Sequence, residues 1–406
     1  MRKIMILGTG AQGSTIAKRM QEEPSVEEIV CADYDMRAAE ELEKSLSKAK
    51  AVQVDGSKTA NIVAAAKGCE LIVNGLPPDF NAQVIDAALE AGASYLDMAG
   101  FADENDDWVN GVRIVLARDE EFKKAGLTAL INCGSAPGIA NVVAREACDQ
   151  FDSVETIDII VYEGIWTKRF IPFWWSPDTA FQDMADEPIV WEGGKFKTVP
   201  PFNRPTWIDF RGIGERLVCD HHHEETVTMG LLADKHLKGA QNVYFRFGGP
   251  HVELSKRFWE MGLLSSEPVE VDGVKIVPMR LINKLAPPAP KYEQEIQEVI
   301  DEGLELEEGT MLVRVDGLKD GEKVRIDNYV SAPGLIDSFA KARISHEAYF
   351  TGQCGWIFTK MLIKGEVGRK GVFPPEALEA KARAYFLKEA AKLDITVDQF
   401  IERRLF

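Results

Sequence analysis

The sequence predicts an α/β protein: a doubly wound parallel sheet joined to a second α+β domain whose sheet is largely antiparallel or mixed. Three observations carry that expectation. An apolar run over residues 4–7 breaks at Gly8-Thr9-Gly10-Ala11-Gln12-Gly13 into a helix-compatible stretch, 14–20. Strand-length and helix-length runs then alternate as far as residue 138, the pattern of repeated βα units. From Val154 onward strands follow one another with hairpin signals such as Gly193-Gly194 and Asp272-Gly273 between them.

The first turn is a dinucleotide fingerprint of the Rossmann type. Gly8 permits a tight turn, Gly10 lets the backbone approach a pyrophosphate, and Gly13 lets the helix pack close to its strand. Free N–H groups at the helix start, at Gln12 and its neighbours, point at the phosphates. The next apolar run, 29–32, ends in Asp33, twenty residues after Gly13, where an acid can bind a ribose 2′-hydroxyl. A carboxylate there would repel a 2′-phosphate, so NAD is the expected cofactor; Arg37 nearby leaves NADP open.

The elements follow in order. Helix 36–50 leads to strand 51–54 and Asp55; helix 59–67 leads to strand 71–74 and the break Gly75-Leu76-Pro77-Pro78; helix 81–90 leads to strand 94–96 and Asp97. A helix over 111–125, a strand over 127–132 and the turn Cys133–Gly138 complete this half. In such sheets ligands sit beyond the carboxyl ends of the strands, which lines up the glycine turn, Asp33, Asp55, Asn74, Pro77 and Asp97 along one edge. Asp55 and Asn74 are candidates for the adenine and nicotinamide-ribose regions, and Asp97 for the reacting centre. Each is equally at home as a cap or turn residue.

Beyond Val154 the expected strands are 157–162, 189–191, 196–199, 207–210, 216–219 and 242–247, with little helix between them. Helices follow at 255–263 and 292–300, then a hairpin of 312–315 with 324–326, then helices at 338–349 and 355–363 and another from Pro374. This gives a nucleotide domain over 1–138, a substrate-binding and dimerisation domain over 139–335, and C-terminal helices over 336–406 packing back on the first domain.

Composition narrows the function. A net charge of −18 over 406 residues argues against nucleic acid or an anionic membrane as partner. No apolar run approaches the ~18 residues of a membrane span, and a start that enters a strand directly suggests a cytoplasmic protein. Six scattered cysteines without a CxxC pair suit reduced core thiols.

The ordered set of Gly8–Gly13, Asn74–Pro78, Tyr95-Leu96-Asp97, Gly134–Gly138, Gly262-Leu263-Leu264, Thr351-Gly352 and Gly371-Val372-Phe373-Pro374-Pro375 resembles the saccharopine dehydrogenase-like family, which includes carboxynorspermidine synthase and lysine 6-dehydrogenase. The resemblance implies a Rossmann domain completed by C-terminal helices, an intervening domain with substrate contacts and a dimer interface, and nicotinamide-dependent chemistry at a carbon–nitrogen bond of an amino acid or polyamine. Ala136 stands where the condensing reductases tend to carry Asp, which looks more like the lysine 6-dehydrogenase branch. Oxidative deamination through an imine is therefore the leading expectation. Reductive condensation of an amine with a carbonyl is the alternative, and a non-catalytic NAD(H)-binding regulator a further one.

Such chemistry needs a group that gives or takes a proton near neutral pH. His223, in His221-His222-His223-Glu224-Glu225, is the leading candidate, and Glu225, on the same face of an extended segment, could orient it or bind an ammonium. Asp97 is the competing proton acceptor. Adjacent imidazoles alternate faces, so no metal is expected. Arg169 and Trp174, from a segment with two cations among five aromatics, 166–175, are candidates for a substrate carboxylate and for shielding the reaction; Arg204 is another carboxylate candidate. A homodimer or higher homo-oligomer is expected.

Overall fold

A computed structural model describes residues 2–102 and 107–403. The chain divides into two compact units, Met1–Glu146 with Ala348–Thr396, and Ala147–Glu347 with Val397–Phe406.

Six strands of the first unit come from its first half: β1 (Arg2–Leu7), β2 (Val26–Asp33), β3 (Ala49–Gln53), β4 (Leu71–Asn74), β5 (Ser94–Leu96) and β6 (Thr128–Leu130). A seventh, Gly371–Phe373, is added by the returning chain beside β6. The order is Gly371–Phe373, β6, β5, β4, β1, β2, β3, and every neighbouring pair is parallel. Helices between consecutive strands cover the sheet, so its central strands read as unbroken apolar runs: Ile4, Met5, Ile6 and Leu7 are fully buried. The order reverses between β1 and β4, which opens the crevice in which such sheets bind ligands.

The returning helix His346–Lys364 packs close to the helix Ala11–Met20. A Cβ at Gly352 would lie 2.7 Å from Thr15, and one at Gly355 would lie 2.9 Å from Ile16, so the approach requires glycine at both positions. Where one helix over 111–125 was expected there are two, Trp108–Ala117 and Asp119–Ala125. They part at Arg118, which is paired with Asp86 and Glu121.

In the second unit a sheet of nine strands contains β7 (Ser153–Thr167), β8 (Ile189–Glu192), β9 (Phe196–Thr198), β10 (Thr206–Phe210), β11 (Gly214–Asp220) and β12 (Asn242–Gly248). A separate hairpin is made of β13 (Val269–Val271) and β14 (Val274–Ile276), and the large sheet is completed by β15 (Leu304–Lys319), β16 (Glu322–Ser331) and Thr396–Arg403. Its path runs β10, β11, β12, β7, β15, β16, Thr396–Arg403, with β8 also beside β12 and β9 on β8. The sheet is mixed: β12 and β7 are parallel, whereas β7, β15 and β16 are antiparallel.

Three expectations change here. Helices Pro177–Ala185 and Glu224–His236 lie between strands expected to follow one another with little helix, and Pro278–Leu285 is a further helix between those expected at 255–263 and 292–300. Glu224–His236 escaped notice because Glu224 through Gly230 are all buried, leaving no polar face to mark a period. The expected helix 338–349 is two, because Arg343 takes φ 59° between Leu335–Ala342 and His346–Lys364. Last, 336–406 is not helical throughout: Thr396–Arg403 is a strand, fastened by a Gln399 Nε2 bond to Asn328 Oδ1 of 2.9 Å and by Phe400 packing on Tyr329.

Candidate functional site

In the first unit the glycine turn is shaped for a ligand. Gly8 sits at φ 90°, and its Cβ would lie 2.8 Å from the backbone of Gly75; a Cβ on Gly13 would lie 2.0 Å from the Gly8 carbonyl oxygen. Gly10 differs, since its Cβ would enter open space. That space lies at the start of a helix whose N-cap, Gly10 itself, offers no side-chain cap, which leaves the first-turn amides for an anion. Oε1 of Gln12 is buried without a hydrogen-bond partner among the described residues. The open space at Gly10 and the uncapped first-turn amides fit a dinucleotide pyrophosphate.

Asp33, at the end of β2, accepts from Thr9 N at 2.7 Å and Thr9 Oγ1 at 2.8 Å through Oδ2, and from Asp35 N at 3.0 Å through Oδ1. It therefore fastens the glycine turn to β2. Asp55 accepts from Ser57, and its ion pair with Lys58 helps hold its carboxyl down at about 2. The Asn74 amide is committed to structure: Nδ2 donates to Asn81 Oδ1 at 2.7 Å and to Tyr95 Oη at 3.1 Å, while Oδ1 accepts from Leu76 N at 3.2 Å. Pro77 is exposed beside this loop. Asp97 is buried, and its Oδ1 accepts from Asn132 N at 2.8 Å; it ties the end of β5 to the turn that starts at Asn132.

In the second unit the structure brings His223 and Glu225 into direct hydrogen-bond contact, by a route the sequence did not show. His223 is the extended N-cap residue of the helix Glu224–His236, and Glu225 lies in that helix's first turn, not in a strand. The imidazole stacks on Phe245 with ring centroids 4.0 Å apart and planes 9° from parallel. Burial works against its charged form, but the carboxylates of Glu225, Glu224 and Asp183 outweigh burial and push His223 up to about 9. Asp183, on the helix Pro177–Ala185, is pushed up to about 8 by burial and by Glu224, and burial likewise raises Glu224. Oε1 of Glu225, wholly buried, has no hydrogen-bond partner among the described residues.

Ligand atoms of His223, Glu224 and Glu225 all lie within 4.8 Å of one another. With Nδ1 of His223 engaged by Glu225, the group offers carboxylate oxygens to a cation and a proton from the imidazolium. Burial holds His221 far below and His222 down at about 4, so both stay neutral beside it.

A second group was missed in the sequence because its members are far apart in the chain. Glu163 on β7, His251 at the start of the helix Pro250–Glu260, and Phe170, Phe173, Trp174 and Trp175 line a cavity of about 110 Å³. His346 Nε2 lies 2.9 Å from Glu163 Oε1. Burial opposes the charge of Glu163, but the bond to His346 and the neighbouring His251 hold its carboxyl below the usual range. Phe247 connects the two groups: its ring centroid is 4.9 Å from His251 and 5.3 Å from His221.

Trp174 is buried against His346. The two arginines chosen as carboxylate ligands are engaged elsewhere. Arg169 is exposed and paired with Glu302 and Glu298 on the helix Glu293–Glu302. Arg204 bonds Asp220 at 2.8 Å and Glu192 at 3.1 Å and lies over the Tyr244 ring at 4.0 Å.

A parallel sheet with a glycine turn at its switch point, joined to a unit that gathers buried carboxylates and histidines, defines a nicotinamide-dependent oxidoreductase. Residues 4–130 match the family described as the saccharopine dehydrogenase NADP binding domain, and 134–394 the saccharopine dehydrogenase C-terminal domain. The chain belongs to the saccharopine dehydrogenase family, whose enzymes act at carbon–nitrogen bonds with NAD or NADP.

Among its relatives, the carboxynorspermidine synthase of Vibrio alginolyticus is 27% identical over 408 residues, covering 93% of this chain and 92% of that one. The carboxyaminopropylagmatine dehydrogenase of Synechocystis is 23% identical, covering 93% of each. The fold is shared with the apo saccharopine dehydrogenase (L-Glu forming) of Saccharomyces cerevisiae, at a TM-score of 0.68 and 15% identity over 99% of this chain and 100% of that one. It is also shared with a homospermidine synthase of Legionella pneumophila in complex with NAD, at 0.67 and 13% over 99% and 91%.

Proposed function

We propose that the protein reductively condenses a cationic amine, of the diamine or polyamine class, with a carbonyl compound. The observation that carries this reading is the set of Asp183, Glu224 and Glu225 around one imidazolium, three carboxyl groups against one positive charge. Burial and crowding hold Asp183 and Glu224 above their usual range, and a bound ammonium favours their ionised forms. Glu163, between His251 and His346 under a wall of tryptophan and phenylalanine, suits a second ammonium with its methylene chain.

The two relatives named above, a carboxynorspermidine synthase and a carboxyaminopropylagmatine dehydrogenase, favour condensation over the lysine 6-dehydrogenase-like deamination that Ala136 suggested. One residue in a turn was too thin a basis for that choice.

In this reading the amine nitrogen attacks the carbonyl carbon, water leaves, and the resulting carbon–nitrogen double bond is reduced to a secondary amine. Bound dihydronicotinamide supplies the hydride. His223, protonated near neutrality, donates to the departing oxygen; Glu225 holds the ring in place and preserves its charge; Asp183 and Glu224 retain the ammonium end. Asp33 favours NAD(H) over NADP(H), and six buried free cysteines are consistent with action in the reducing cytoplasm.

The test is to supply a diamine, an aldehyde-bearing amino acid, or both, with the reduced cofactor. Cofactor oxidation only when both are present, with a secondary amine found by mass spectrometry, is the expected result. Reduction of NAD by lysine alone, with no such product, would return the assignment to deamination.

A further inference from the structure

The condensation proposed above needs two proton transfers of opposite sense at neighbouring atoms. The attacking nitrogen arrives as an ammonium and must lose a proton, and the carbonyl oxygen must gain one to leave as water. His223 serves the oxygen. The nitrogen needs a base of its own, and the face of β12 beside His223 carries a group that suits it.

Phe245 and Phe247 are consecutive residues of that face, and the His221 ring meets both, with centroids 6.0 and 5.3 Å away. His223 stacks on Phe245, whereas His251 stands edge-on to Phe247 with centroids 4.9 Å apart and planes at 65°. The two imidazoles therefore stand over positions two residues apart on one strand, a step of about 7 Å. The N–C–O unit of a carbinolamine, with a hydrogen bond of ~3 Å at each end, spans about 8 Å.

His251 is prepared for the nitrogen end. It lines the aromatic cavity beside Glu163, and its Nε2 is buried with no hydrogen-bond partner among the described residues. Phe173 and Trp175 flank the ring, with centroids 5.6 and 5.8 Å away, and burial holds His251 below the ordinary histidine value against the pull of Glu163. The ring is thus neutral and able to accept where His223 is charged and able to give. Environments that push two titratable groups apart in this way divide acid from base. Glu163 is the poorer base, being held low and bonded to His346.

We infer, resting on the reaction proposed above, that His251 is a catalytic residue, the base that takes the proton from the reacting ammonium. Its Nε2 accepts one N–H proton, and the freed electron pair of the nitrogen forms the bond to the carbonyl carbon. The carbonyl oxygen takes a second proton from that nitrogen as the carbinolamine forms and a third from His223, and it leaves as water. The iminium carbon left behind accepts the hydride, giving a neutral secondary amine. Glu163 faces the His251 imidazolium meanwhile, and one proton passed through solvent from His251 to His223 resets the pair.

The test measures secondary-amine formation with saturating diamine, aldehyde and reduced cofactor. His251→Ala should lower kcat about 100-fold or more, with the KM for the diamine within roughly threefold. Added imidazole should raise the rate of this variant roughly tenfold and the stronger base 4-methylimidazole further, whereas thiazole, of the same shape and hardly basic, should do nothing. A diamine carrying fluorine beside the reacting nitrogen has a more acidic ammonium and should narrow the gap between wild type and variant to under about tenfold. His251→Gln, which keeps a polar side chain in place, should show the same defect at an unchanged melting temperature. Rescue by thiazole equal to that by imidazole, a defect of one size for both diamines, or a variant as fast as the wild type overturns the assignment of His251 alone. A wild type that forms no secondary amine overturns the proposed reaction and this assignment with it.

Discussion

Glu225→Gln keeps the size of the side chain and one hydrogen-bonding oxygen while removing the charge that holds the His223 imidazolium. The interval between an ordinary histidine at 6.5 and His223 at about 9 corresponds to roughly 3 kcal/mol in favour of the charged ring. Burial opposes this, so the three carboxylates together supply more. A single charge pair near 4 Å is worth ~4 kcal/mol at an effective dielectric of ~20, and Glu225 is the partner in direct contact. Allowing for the rearrangement of Glu224 and Asp183, the substitution should lower His223 by one to two pH units. Carbon-detected NMR titration of the six histidines, with the resonance assigned by its loss in His223→Gln, reads this directly.

The same shift appears in stability with a defined sign. A group raised in the folded state contributes fully below its unfolded value, here near 6.5, and its contribution is lost as the pH climbs through about 9. The wild type should therefore lose more melting temperature than Glu225→Gln across that window. A histidine that still titrates near 9 in the variant, or none above about 7.5 in the wild type, would refute the reasoning.

Asp183→Asn should stabilise the protein while weakening the binding of a diamine in calorimetry. The folded carboxyl holds its proton up to about 8 while the unfolded one releases it near 4, so stability is lost as the pH rises between these values and the variant avoids that loss. After discounting for partial exposure, a gain of roughly 1–2 kcal/mol, a few degrees in melting temperature at pH 8 and little at pH 4, is expected. Gly10→Ala should fold normally yet bind dihydronicotinamide at least tenfold more weakly in a fluorescence titration. Gly13→Ala, whose Cβ would collide with the Gly8 carbonyl, should lose both binding and thermal stability; equal affinity for the wild type and Gly10→Ala would remove the pyrophosphate from that cradle. Asn74→Leu leaves Asn81 and Tyr95 without their buried amide partner and should cost about 2–4 kcal/mol in urea unfolding.

The nucleotide unit was legible because its signals are local: glycine spacing, strand-end acids and alternating runs lie within twenty or thirty residues of one another. The candidate site of the second unit was hidden in the sequence for three reasons. The first two turns of the helix Glu224–His236 are buried all round and show no amphipathic period. Glu163, His251 and His346 meet only through the fold. The arginines at 169 and 204 look free in sequence because their acidic partners, Glu302 and Asp220, lie 133 and 16 residues away. His223 and Glu225 were expected to share a face of a strand; they touch instead as the N-cap and a first-turn residue of a helix, which can meet as a strand's i and i+2 do.

The strand Gly371–Phe373 also bears on how the protein is made. Its place beside β6 is filled by residues that leave the ribosome after the whole of 147–347, so the nucleotide-binding sheet emerges with an open edge and waits through the synthesis of some two hundred residues. A nascent chain halted between residues 130 and 371 carries the complete glycine turn but leaves β6 with one neighbour. A truncated product of that kind is marked by an unpaired strand edge, open to pairing with another chain.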